Sequence, residues 1–346
     1  MKKICFGITK DGQQASKYVL QNAKGMEVEV SDFGALVLAI RIPDNKGNVR
    51  DVVLGFDTME EYYDISTGFG AYIGRNANRI EGANLVIDNI EYQLDVNNGK
   101  NNLHSGLDRS HCKLYQAVYG ENEVESYVEL SRTSPHMEQG FPGDLEQKIC
   151  YTLTDKNEFI IDYEMTSNRT TVVNPTNHSY FNLNGHNRGN ILAHELEIYS
   201  KEFLLTDEQL IPTGEIASVL GTPMDFTSKK EIGRDIEAAY EPLVVAGGYD
   251  HNYIFENDGK IKHFATFSSR ESGIEMKVFS DMCGMQIYTG NFLDGEKGKE
   301  GAIYERHAGI CFETQFYPNA CKQPKFPTSI LPAGKMFRSR TIYKFQ

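Results

Sequence analysis

The sequence predicts an all-β protein of many antiparallel strands in stacked sheets. Three observations carry that reading. Apolar and polar residues alternate with a period of two, the alternating runs are rich in β-branched and aromatic residues, and Asn, Asp and Gly separate them. Strand patterns outnumber helical ones heavily, which favours sheet packed on sheet.

In chain order, alternation marks residues 26–30, 85–94, 124–131, 158–166, 194–199, 261–268 and 274–280. Asp88-Asn89 splits the second run into a hairpin, and residues 43–48 form a turn after the strand ending at Ile42. Helix is expected in two places: one or two turns within 58–64, and a longer element over 229–240. Residues 296–301 read as a charged surface loop and 221–234 as an irregular connection. With no internal repeat, low-complexity tract or Pro/Ser-rich linker, residues 1–346 are expected to form a single domain.

A chain of 346 residues, 40% of them hydrophobic, can bury a large core. Its net charge of -13 and pI near 5.2 argue against nucleic acid and anionic membranes as partners. A neutral substrate suits that balance better than a phosphorylated one. Six cysteines lie apart with no C-x-x-C pair, which reads as buried free thiols in a reducing compartment. Lys2 and Lys3 mimic the start of an export signal, but no apolar stretch follows them, and no run is long enough to span a bilayer. The expected setting is cytoplasmic.

Metal and cofactor signatures are missing from the sequence. Nine histidines are scattered, and His104, His111 and Cys112 read as loop or surface residues rather than ligands. Gly68, Gly70 and Gly74 have the wrong spacing for a phosphate loop. No metal and no cofactor is expected.

The chemistry-bearing signal is polar residues set in strand-like runs. In 175–183, alternation puts Thr176, His178, Tyr180 and Asn182 on one face. By itself such a histidine is better explained by core hydrogen bonds. In 310–315, Cys311, Glu313 and Gln315 share a face, and a carboxylate in so apolar a run is costly to bury unless paired or used. Gln286 and Tyr288 share another face, Asp250 sits in a polar turn, and Asn78, Arg79 and His104 complete the set. Two imidazoles, two carboxylates, one guanidinium and several amides suit proton transfer on a hydroxylated ligand.

These segments, with 74–80, 102–104, 140–145, 174–183, 248–253, 288–293 and 313–315 in order, resemble the galactose mutarotase (aldose 1-epimerase) family over most of the chain. The resemblance implies a large antiparallel β-sandwich of the galactose mutarotase-like supersandwich type. It implies interconversion of the α and β anomers of a free hexose such as glucose or galactose, by a monomer or homodimer. Position by position, Glu313 resembles the family's general base, His178 its general acid and His104 its second active-site histidine. Asn78, Arg79, Asp250 and Gln286 resemble the hydroxyl-binding groups, with Tyr288 as a packing surface. A histidine acid, with an ordinary pKa of about 6.5, is expected to stay protonated near neutrality after modest shifts. Two departures stand out. Ser105 replaces the first of two glycines that usually follow the loop histidine, where a positive φ would strain it. The chain also has no tryptophan, with Leu114-Tyr115 where relatives often carry one. Three other readings remain open: a polysaccharide lyase or a glycosidase using Asp250 and Glu313, a hexose 6-phosphate epimerase, and a non-catalytic sugar-binding module.

Overall fold

A computed structural model describes residues 1–63 and 67–346, and its strands pair antiparallel in stacked sheets. The largest sheet runs Gln116–Glu121, Glu125–Ser134, Leu145–Thr154, Glu158–Ser167, Met336–Phe345, Glu275–Ser280, Lys262–Ser268, Glu195–Ile198, Lys230–Glu231. Along Glu158–Ser167 buried residues alternate strictly with partly exposed ones, as a sheet with one wet face requires. Its inward set, Phe159, Ile161, Tyr163 and Met165, joins Tyr343 and Phe345 of the last strand in the main core. The first five strands form a separate meander from Lys2–Ile8 to Val49–Asp51.

A six-stranded sheet carries most of the functional residues. Its strands are β1 (Tyr180–Phe181), β2 (Glu202–Thr206), β3 (Pro212–Ser218), β4 (Asp250–Ile254), β5 (Gly284–Tyr288) and β6 (Ile310–Gln315), in the order β1-β6-β5-β4-β2-β3. All six residues of β6 are buried. Ile310 and Phe312 belong to the main core, where the Phe312 ring packs 5.4 Å from Phe267 of the large sheet. Side chains alternate along a strand, so Cys311, Glu313 and Gln315 occupy the other face.

The expected strands are found, with ends shifted by a residue or a few. Asp88 and Asn89 both have positive φ (53° and 62°), the geometry of a tight primed hairpin turn. The turn after Pro43 is held by Asp44, whose carboxylate accepts from the backbone of Lys46 and Asn48 at 2.9 and 2.8 Å.

The longer helical expectation needs correction, whereas the shorter one is met. Residues 229–240 form a short strand, Lys230–Glu231, and a 3-10 turn, Ile232–Arg234. The strand docks on Glu195 and Leu196, and Gly233 lies so close to Leu192 that tertiary contacts override local propensity. The α-helix comes just afterwards, at Glu241–Ala246, with Pro242 in its first turn and Gly247 ending it at φ 65°. In 58–64 a 3-10 turn forms at Glu60–Tyr62, while Asp64 lies outside the described residues.

The 296–301 segment is not a plain surface loop. Strand Glu296–Lys297 pairs with Ile303–Tyr304, and Lys299 is buried with its ammonium 2.7 Å from Asp51. The six cysteines are free, with Cys283 and Cys311 buried as expected, whereas Cys5 is exposed. Among the described residues, no helix is long and apolar enough to cross a membrane.

Candidate active site

A cavity of about 350 Å³ opens over the Glu313 face of the six-stranded sheet. Its floor is laid down by strand register. Asp250, Tyr288, Cys311 and Tyr180 form one cross-strand row, and Asn252, Gln286 and Glu313 form the next. Adjacent strands lie about 4.8 Å apart, so the backbone ladder itself sets the spacing of these side chains.

His178 ends the short strand Thr176–His178, paired with Ala71–Ile73. Its Nε2 lies 3.5 Å from Glu313 Oε1, and its Nδ1 lies 3.4 Å from Cys311 Sγ. Tyr180 packs beside the ring at 5.0 Å between centroids. The chain breaks strand geometry at Ser179, so the four-residue face expected from alternation is only partly realised. Thr176 donates to the Thr314 carbonyl and Asn182 to the Ala308 carbonyl, leaving His178 and Tyr180 on the cavity wall.

The opposite wall comes from 74–80 and 101–106, joined by pairing of Asn102–Leu103 with Arg79–Ile80. Arg75 anchors this wall from inside. Fully buried, it donates to Ser134 Oγ and to the carbonyls of Ser134, Pro135 and Pro142 at 2.8–3.0 Å. The Asn78 backbone N–H donates to His104 Nδ1 at 3.1 Å. The neutral His104 ring therefore carries its hydrogen on Nε2 and offers a donor to the cavity. Asn78 Oδ1 accepts from the Arg79 backbone, and the Arg79 guanidinium donates to Asn98 at 2.9 Å.

Burial sets the protonation of the pair. It pushes His178 down to about 4. Burial, then Asp250, push Glu313 well above the usual carboxylate range, against the pull of Arg79. Near neutrality the imidazole is neutral, and burial favours the protonated over the charged form of Glu313. This corrects the expectation of a histidine that stays charged: the shift is not modest, because the ring is buried.

Folding also gathers what the scattered histidines did not foretell. Ligand atoms of His104, His178 and Glu313 lie within 4.8 Å of one another. A tetrahedral ion with bonds of about 2.1 Å needs its ligands roughly 3.4 Å apart, and needs a lone pair on each. His104 presents N–H instead, so the cluster fits proton traffic better than a cation.

Residues 16–344 match the aldose 1-epimerase family. The chain belongs to that family. The galactose mutarotase of Bos taurus is 41% identical over 331 residues, covering 95% of this chain and 93% of that protein. The aldose 1-epimerase of Escherichia coli K12 is 35% identical over 341 residues, covering 98% and 97%. A solved aldose epimerase homologue from C. elegans superposes with a TM-score of 0.88 at 29% identity, covering 96% of this chain and 99% of its own. The β-sandwich is the galactose mutarotase-like fold that the resemblance implied.

In this aldose 1-epimerase family member, Asn78, Arg79, His104, His178, Asp250, Tyr288 and Glu313 all line the cavity. Gln286 does not. It lies behind Asp250 and donates to Asp250 Oδ1 at 2.7 Å, so it orients that carboxylate. Sequence reading missed Arg109 and His111 on the wall. His111 is no surface histidine but a buried one, in the 3-10 turn Ser110–Cys112. The available signal was proximity: both follow the His104 loop within a few residues. Ser105 does sit at positive φ (69°), and its hydroxyl accepts from Asn76 N–H at 2.7 Å and donates to Asn76 C=O at 3.1 Å. In the Leu114-Tyr115 pair, Tyr115 is buried and donates to the Ser110 carbonyl at 3.3 Å.

Proposed function

We propose that this protein is an aldose 1-epimerase that interconverts the α and β anomers of a free hexose such as glucose or galactose. The observation that carries the reading is the Glu313–His178 pair, 3.5 Å apart on the wall of a cavity lined with hydroxyl-binding groups. Ring opening needs the O1 proton removed, the bond between C1 and the ring oxygen broken, and that oxygen protonated. The proton held by Glu313 first passes to His178, giving a carboxylate and an imidazolium. Glu313 then takes the O1 proton as the C1=O1 bond forms. The electron pair of the breaking bond goes to the ring oxygen, which receives the proton from His178 Nε2. His104 Nε2–H donates to the same oxygen as charge develops there. After rotation of the aldehyde, the steps reverse on its other face.

Asn78, Arg79 and Asp250 hold the remaining hydroxyls, Gln286 holds Asp250, and Tyr288 offers a packing face. The wall carries the guanidiniums of Arg79 and Arg109 beside the carboxyl groups of Asp250, Glu296 and Glu313. That balance supports a neutral sugar over a phosphorylated one. We read residues 1–346 as one domain, working in the cytoplasm as a monomer or homodimer, and the free thiols support a reducing setting. The test is polarimetry or NMR on freshly dissolved α-glucose and α-galactose, corrected for the spontaneous rate. Relaxation no faster than buffer with either sugar would refute the proposal.

A further inference from the structure

Glu313 has two oxygens in different surroundings. Oε1 faces His178 across 3.5 Å, whereas Oε2 is buried with no hydrogen-bond partner. The same holds for its neighbours on the sheet. Both side-chain polar atoms of Asn252, both of Gln315, and Gln286 Oε1 are buried and unpartnered. All four residues are at most 4% exposed.

Register gathers these groups. Asn252 pairs with Gln286, and Gln286 with Glu313, across β4, β5 and β6. Gln315 follows two residues after Glu313, on the same face, and pairs with Gly284. A Cβ at Gly284 would lie 2.6 Å from Asn252 Oδ1 and 3.2 Å from its Nδ2. The absent side chain leaves room for the Asn252 amide opposite Gln315. The result is a cluster of buried polar groups on the sheet around Glu313, made of amides that both donate and accept.

Leaving six such atoms dry would cost as much as the stability of an ordinary domain. Buried water commonly satisfies groups of this kind, with two to four bonds each. We propose that Asn252 and Gln315 are positioning residues for the base, holding ordered water against Glu313 Oε2 on the side away from the sugar. The water donates to Oε2 and accepts from the amide N–H groups. It stabilises the carboxylate form that must exist when the O1 proton is taken, in a site otherwise hostile to charge. Gln286 links this cluster to Asp250, with Nε2 on the Asp250 carboxylate and Oε1 facing the water. The proposal rests on Glu313 acting as the base.

Two measurements test it separately from the proposed function. A crystal structure of the wild-type protein, resolved well enough to show water, is expected to hold a water oxygen within about 3.2 Å of Glu313 Oε2 and of a Gln315 or Asn252 amide. Dry density around Oε2, or direct amide contacts to Oε2 in place of water, overturns the proposal whatever the enzyme's activity. Gln315→Met and Asn252→Leu then remove the amides at nearly constant volume. Weaker support of the carboxylate should raise the Glu313 pKa and lower the ionised fraction together. A shift of one unit means a tenfold fall in kcat, with the alkaline limb moved up by one pH unit and KM unchanged. A variant that folds with that limb unmoved refutes the role of its residue, since merely structural damage lowers rates without shifting the limb. If one variant fails to fold, the other and the wild-type water site decide.

Discussion

Replacing Ser105 by glycine is the most informative single change outside the chemistry. Glycine at φ 69° relieves a strain of about 1–2 kcal/mol, the usual cost of a left-handed conformation in an L-residue. The hydroxyl, however, serves both the N–H and the C=O of Asn76, in a site with no exposure. Orphaning two buried backbone groups costs about 1–3 kcal/mol each. Glycine adds about 0.5–1 kcal/mol through the greater freedom of the unfolded chain. The losses exceed the relief, and Ser105→Gly should destabilise the protein by roughly 0.5–6 kcal/mol. Ser105→Ala keeps the strain as well as the losses, so it should be the less stable of the two by about 1 kcal/mol. Urea unfolding followed by circular dichroism and tyrosine fluorescence reads both, since the chain has no tryptophan to confuse the signal. A glycine variant at least as stable as wild type, with alanine no worse, would show that the serine hydroxyl does not hold this loop.

Four further outcomes follow from the site. Glu313→Gln keeps the shape of the side chain but cannot take a proton, so turnover should fall by about 10²–10⁴ while sugar still binds in a titration; near-normal turnover would remove Glu313 as base. Asp250→Ala should raise KM and largely spare kcat in steady-state polarimetry, because Asp250 is cast as a hydroxyl acceptor; the opposite split would give it a chemical role and revive the glycosidase reading. The wild-type pH–rate profile should rise through about pH 4 as the second proton leaves His178, and fall above the usual carboxylate range as Glu313 loses the proton they share. His178→Asn should abolish that alkaline fall along with most of the rate, and a retained limb would point to His104 as the acid.

The strands were legible where one face is wet and one is dry, as in Glu158–Ser167. In β6 every residue is buried, so periodicity there says nothing about which face meets the core. Glu313 was legible for a different reason, because a carboxylate in an apolar run demands an explanation. The fate of 229–240 was not legible, since its strand and turn are dictated by Glu195, Leu196 and Leu192, which lie far away along the chain. Gln286 was placed on the right face but at the wrong depth. Sequence orders residues along a strand, and only the diagonal hydrogen bond from Gln286 to Asp250, the residue that lines the cavity, shows that Gln286 lies behind it. Protonation was misjudged for a similar reason: the ordinary pKa of histidine belongs to the residue, whereas the value near 4 belongs to its burial.

Arg75 bears on how such a protein can change over generations. Among the described residues its guanidinium makes no direct ion pair, although the Glu138 carboxylate, bonded to the same Ser134 hydroxyl, offsets part of its charge; its short hydrogen bonds go to carbonyls and one hydroxyl. These acceptors come from chain segments about sixty residues away, each bent to offer an oxygen to this one side chain. Lysine brings three donors and no planar fork, so it leaves some of those oxygens bare; an apolar residue leaves all of them bare. No single substitution at Arg75 is then neutral, and no single substitution elsewhere makes one neutral. The loops that cross beneath the cavity are free to vary only where they do not meet this guanidinium. Innovation in the sugar site is therefore expected at other wall positions, such as Arg109 and His111, while the wall that carries Asn78 and Arg79 stays where it is.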